Sequence, residues 1–248
     1  MEISPLSPLF CYASTYIGDQ INQLVMDRPP HSVAEKGSKK WIQRLINEKP
    51  ELLNSEIRSK LNLLGNEEIR WLSPLKRDNY AEYSGQDFLD LLEIKLAKMP
   101  LSDFWPRRGP HWDALGKSRS GNLFLVEAKS HIRELISTMK ATDKDSVRKI
   151  RRSLTITKNF LNSSAETDWS CGFYQYTNRL AHLYLLRNNQ LPAYLVFVYF
   201  LNDSDMNGPK TVEEWTGAIK LLHSYLGIGR HKLKNFVVDV FIDINYLE

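Results

Sequence analysis

Residues 110–129 read PHWDALGKSRSGNLFLVEAK, and the division of this stretch decides the fold. Leu123-Phe124-Leu125-Val126 is a short run that is apolar on both faces, as expected of a strand inside a sheet. Gly116 to Gly121 turn the chain, and His111 to Leu115 supply an earlier strand, so a hairpin brings Asp113 up to Glu127-Ala128-Lys129. Side chains alternate along a strand, so Glu127 and Lys129 share a face and an antiparallel neighbour can set Asp113 beside them. Two carboxylates and an ammonium then meet in one spot. Charges at the end of so apolar a strand are expensive unless they meet a metal or another charge. The second Glu-x-Lys of the chain, Glu93-Ile94-Lys95, falls in a helical pattern where residues two apart diverge, so it cannot converge on a ligand.

Outward from the hairpin, the pattern alternates between helices and strands. Upstream, Lys39 to Ile46 and Glu51 to Leu64 space their apolar residues by three and four, interrupted by Pro50 and stopped by Gly65, which predicts two helices. Ile69 to Leu75 predicts a strand, and Tyr80 to Met99 a helix ended by Pro100. Phe104-Trp105 predicts a further short strand ahead of the hairpin. Downstream, helices are expected at Ile132 to Met139, Ser146 to Leu161 and Phe173 to Arg187. Ala193 to Leu201 is the strongest strand signal and calls for an interior position. Thr211, with Glu214 as its capping-box partner, starts a helix to Tyr225, and Asn235 to Ile244 alternates as a last strand. This order predicts an α/β fold, a three-layer sandwich around a mixed sheet. Residues 1–78 read as an N-terminal helical arm, its first thirty residues rich in proline, and residues 79–248 as the main domain with a basic helical insertion near 132–168.

The chain of 248 residues, 42% hydrophobic and 25% charged, suits one large domain and excludes a disordered protein. Two cysteines, Cys11 and Cys171, cannot build a disulfide framework or a four-cysteine zinc site, and the six histidines show no paired metal-ligand spacing. The start has no signal-peptide pattern, and the longest apolar run is about half of a membrane span, so a cytoplasmic protein that does not enter membranes is expected. The net charge of +4 is concentrated: Ile132 to Leu161 hold eight basic against three acidic side chains.

Asp113 with Glu127-Ala128-Lys129 resembles the signature of the PD-(D/E)xK nuclease superfamily, the fold of many restriction endonucleases and recombination nucleases. The similarity spans roughly Tyr80 to Leu201, where a helix, a meander, a further helix and a strand follow in that family's order. Trp112 stands where the naming proline would be, with Pro110 upstream, and the basic stretch after Lys129 departs as an insertion. The resemblance implies a restriction endonuclease-like sheet and a metal-dependent nuclease acting on DNA, of restriction or repair type. It also implies one or two Mg²⁺ (or Mn²⁺) ions held by Asp113, Glu127 and the Ala128 carbonyl. Lys129 would orient or deprotonate the attacking water.

The same resemblance implies an acidic residue on the leading helix, for which Glu82 is the first choice and Glu93 the second. It also implies a glutamine on the helix after the meander, matched by Gln175, with Arg179 where a tyrosine is usual. Arg107, Arg108, Lys117 and Arg119, on loops taken to flank Asp113, join Arg148, Lys149, Arg151 and Arg152 as the expected phosphate-contacting surface. A solvated amphipathic helix competes for the second group. A homodimer is compatible with this reading. Two other readings stand beside it: a catalytically silent nucleic-acid-binding or protein-interaction module on the same fold, and a structural ion-pair cluster.

Overall fold

The computed structural model describes residues 33–61 and 67–248. Its centre is β3 (Leu123–Lys129), every residue of which is buried because both faces of LFLVEAK are covered. Around it the sheet runs β1 (Ile69–Ser73), β2 (Ala114–Ser118), β3, β4 (Ala193–Leu201) and β5 (Val237–Asp243) in spatial order. The first three strands form an antiparallel meander, and β4 and β5 continue parallel to β3, making the sheet mixed. Gly116 is required at its place: it pairs with Trp71 of β1, and a Cβ there would lie 2.9 Å from the indole.

Seven helices cover the sheet among the described residues. On one face α1 (Gly37–Glu48) and α2 (Pro50–Leu61) bury Trp41, Ile42, Leu53 and Ile57 against Phe124, Val126, Val196 and Val240. The other face, carrying Leu123, Leu125, Leu195, Phe197 and Tyr199, is covered by α3 (Gly85–Leu91), α4 (Leu101–Phe104), α5 (Lys144–Leu161), α6 (Tyr174–Asn188) and α7 (Val212–Leu226). The result is helices, sheet and helices in three layers, as the alternation of apolar residues implied. Residues 33–248 form one unit, so α1, α2 and β1 pack as part of the sandwich although they fall within the 1–78 segment read as an arm. The proline-rich start and the 62–64 end of the second expected helix lie outside the described residues. No helix among the described residues is long and apolar enough to cross a membrane.

Four expected elements differ. The first hairpin strand is Ala114–Ser118 and not 111–115, so Gly116 to Ser118 continue the strand and the turn begins only at Arg119. The helix over 80–99 is reduced to α3. Glu93 adopts φ 56°, and the Ile94 amide donates back to the Leu89 carbonyl, a left-handed closure that ends the helix while Phe88, Leu89 and Leu92 still enter the core. Phe104-Trp105 closes the single turn of α4 instead of forming a strand. The helix over 132–139 is a 3₁₀ turn at Ile132–Leu135, because Ser137 and Met139 donate to the Gly172 and Ser170 carbonyls and hold the rest extended. The Thr211–Glu214 capping box is present at α7.

Candidate active site

The register of the hairpin builds the site. Ala114 pairs with Val126, which puts Asp113 opposite Glu127 at the rung beyond the end of β2. The Asp113 amide donates to the Val126 carbonyl at 3.1 Å, and its Oδ2 accepts from the Ala128 amide at 2.7 Å. The carboxylate is therefore fixed from both ends. Glu127 and Lys129 lie on the face turned to α6, and Lys129 Nζ donates to Glu127 Oε1 at 2.6 Å and to Gln175 Oε1 at 3.1 Å. Asp113, Glu127, Lys129 and Gln175 thus meet in one place.

Arg179 joins them. Its Nε donates to Glu127 Oε2 at 2.6 Å, its Nη2 contacts the same oxygen and donates to the His111 carbonyl at 2.8 Å, and its Nη1 donates to Asn178 Oδ1 at 2.9 Å. The guanidinium lies 4.8 Å from the Trp112 ring centroid and is almost wholly buried. Asn178, Arg179 and His182 form a polar helix face that is buried, whereas such a face is most often solvated. Sequence reading gave Arg179 no role in the site and noted it where a tyrosine is usual. The available signal was its place one turn after Gln175, which puts both on the face turned to the strand charges.

The charges shape one another. Burial and the neighbouring Glu127 carboxylate push the Asp113 carboxyl up to about 8, with Glu82 adding to the rise and Lys129 opposing it. Burial alone would raise Glu127 too, but Arg179 and Lys129 outweigh it and hold its carboxyl below the ordinary range. For Lys129 burial favours the neutral amine, yet the Glu127 and Asp113 carboxylates prevail and keep it an ammonium. Lys129 therefore serves as a hydrogen-bond donor and positive charge, which narrows the expectation that it deprotonates water.

Glu82 precedes α3 in an extended segment bridged to the hairpin at Tyr83–Trp112, so it is not a helix residue. It lies near enough for its charge to reach Asp113, and Lys39 of α1 holds its Oε1 at 2.9 Å. Glu93 is exposed and pairs with Lys117, away from the cluster. The expectation that Lys117 and Arg119 flank Asp113 does not hold. β2 runs away from Asp113, so at ~3.3 Å per residue Lys117 stands about 13 Å along it and Arg119 lies in the turn beyond its far end. Arg107 and Arg108 are exposed on the loop leading to His111. On α5, Arg148 pairs with Asp145, Lys149 donates to the Ser102 carbonyl, Arg151 stands 4.0 Å from Asp168, and Arg152 is exposed.

Among the described residues no three His, Cys, Asp or Glu side chains converge as a cage for a metal ion. A magnesium ion does not need one, since it is commonly held by one or two carboxylates and completed by water and phosphate oxygens. The hard oxygens of Asp113 and Glu127 suit that requirement. No family model, characterised protein or solved structure matches this chain.

Proposed function

We propose that the chain is a metal-dependent nuclease that hydrolyses DNA phosphodiester bonds, built on a restriction endonuclease-like version of its three-layer fold and working in the cytoplasm. The observation that supports this most is the opposition of Asp113 to Glu127 at the end of a buried strand, with Lys129 on the same face. Asp113 and Glu127, with the Ala128 carbonyl as a further hard oxygen, would hold Mg²⁺ or Mn²⁺, with Glu82 in the outer shell. Such an ion, when bound, supplies Lewis acidity and a water acidic enough to attack at neutral pH. Lys129 has three N–H donors, and Glu127 and Gln175 accept two of them. The third can donate to the attacking water or to a phosphoryl oxygen and neutralise charge as it develops there. Gln175 fixes the ammonium from the helix side. Arg107 and Arg108, and the outer side of α5, offer positive charge for the DNA backbone. A homodimer would present two such sites to the two strands of a duplex.

The silent-module reading has one observation in its favour: Lys129 and Arg179 together already satisfy both oxygens of Glu127. A crystal soaked in Mn²⁺ separates the two. The nuclease reading expects an anomalous peak between Asp113 and Glu127 that Asp113→Asn abolishes, and the silent reading expects none in either protein.

A further inference from the structure

We propose that Arg179 is a positioning residue, the fixed counter-cation of Glu127, and that it limits this site to one divalent ion. The inference rests on the metal-dependent reading above and adds the number of ions and the residue that sets it. Arg179 is pinned on every side. Three partners take its donors, namely Glu127 Oε2, the His111 carbonyl and Asn178 Oδ1, and the Trp112 ring lies against the guanidinium. It is buried, and a guanidinium does not lose its proton in a protein, so its charge is permanent at this place. It also ties two strands together, because one group grips the His111 carbonyl ahead of β2 and the Glu127 carboxylate on β3.

The charges then count the ions. Asp113 and Glu127 contribute two negative charges when ionised, and Lys129 and Arg179 two positive ones, so the bare cluster is neutral. Glu82 adds a carboxylate whose charge Lys39 offsets. Without DNA one divalent ion leaves two positive charges, whereas a second would leave four in a largely buried site, a cost that no further carboxylate relieves and that loss of the Arg179 charge lowers by one. Glu127 Oε2 carries two donors of Arg179 and Oε1 carries the Lys129 ammonium, so an ion reaching Glu127 would share Oε1 with Lys129 and take its other carboxylate oxygen from Asp113.

The test counts Mn²⁺ bound per chain by electron paramagnetic resonance at saturating metal, in the full chain without DNA. Wild type is expected to bind one ion. Arg179→Gln removes the charge but keeps amide donors, and it should bind two; Arg179→Lys keeps the charge and should return the count to one. A purely structural role would leave the count unchanged. Two ions in wild type, or one in Arg179→Gln, overturns the proposal while leaving the metal-dependent reading intact. No ion in any of the proteins overturns both. If Arg179→Gln does not fold, the count is taken on Arg179→Met, which also removes the charge: two ions support the proposal and one refutes it.

Discussion

Replacing His182 with Phe should flatten the acid limb of the stability curve. His182 is fully buried on α6, with the rings of Phe88, Trp105 and Trp112 around it at centroid distances of 6.3, 4.7 and 6.0 Å. Its Nδ1–H donates to the Asn178 carbonyl at 2.8 Å, while Nε2 has no partner. Burial, with Arg179 adding to it, lowers the imidazole from its ordinary 6.5 to about 3, so the folded protein keeps it neutral. The sign follows from the depressed value. Above pH 6.5 the residue contributes fully, and below it the unfolded chain takes up a proton that the folded chain refuses. Between about pH 7.5 and about pH 5 this amounts to ~2 kcal/mol of lost stability. Asp113 acts in the opposite sense: its raised carboxyl costs stability as pH rises toward 8, so the wild-type curve alone does not isolate either group. The difference between wild type and His182→Phe does, because Asp113 is common to both. Urea unfolding followed by circular dichroism at the two pH values should show wild type losing ~2 kcal/mol relative to the variant on acidification. Parallel pH dependence would refute the claim that His182 is held neutral.

Four further outcomes are expected. Gly116→Val, which drives a side chain into Trp71, should destabilise the fold by about 1–3 kcal/mol with the site chemistry intact, measured by urea unfolding. Mn²⁺ affinity should rise up to about tenfold per pH unit below 8 and level off above it, because Asp113 must lose its proton to bind; calorimetric titrations across that range check this. Replacing Arg148, Lys149, Arg151 and Arg152 with Gln should lower the slope of log affinity against log salt by up to about 3.6 if all four touch phosphate, read by fluorescence anisotropy on a duplex with Asp113→Asn as background; no change would mark this face as merely solvated. Lys129→Ala should slow cleavage by about 10²–10³, seen in single-turnover kinetics.

The parts of this molecule that were legible in the sequence are those specified over short distances. β4 declared itself by nine residues apolar on both faces, α7 by its capping box, and the Asp113–Glu127 opposition by strand alternation across one hairpin. The helix over 80–99 failed because a left-handed Glu93 is invisible to apolar spacing, and Glu93 is not a residue type that advertises a positive φ. The place of Lys117 and Arg119 was misjudged because Gly116 reads as a turn residue, whereas the strand runs on through it to Ser118 and carries both residues away from Asp113. Arg179 was the largest omission. Its partner Glu127 is 52 residues away, and only the packing of α6 onto β3 turns a polar helix face inward.

The central claim, that Asp113, Glu127 and Lys129 form a metal-dependent phosphodiesterase site, is tested most directly by cleavage. Supercoiled plasmid and end-labelled linear duplex are incubated with purified wild type, Asp113→Asn and Glu127→Gln, each with Mg²⁺, with Mn²⁺ and with chelator. The account predicts cutting by wild type only when an ion is present, and none by either variant although both remain folded by circular dichroism. It is contradicted if wild type binds the ion yet cuts no DNA, or if Asp113→Asn cuts as well as wild type.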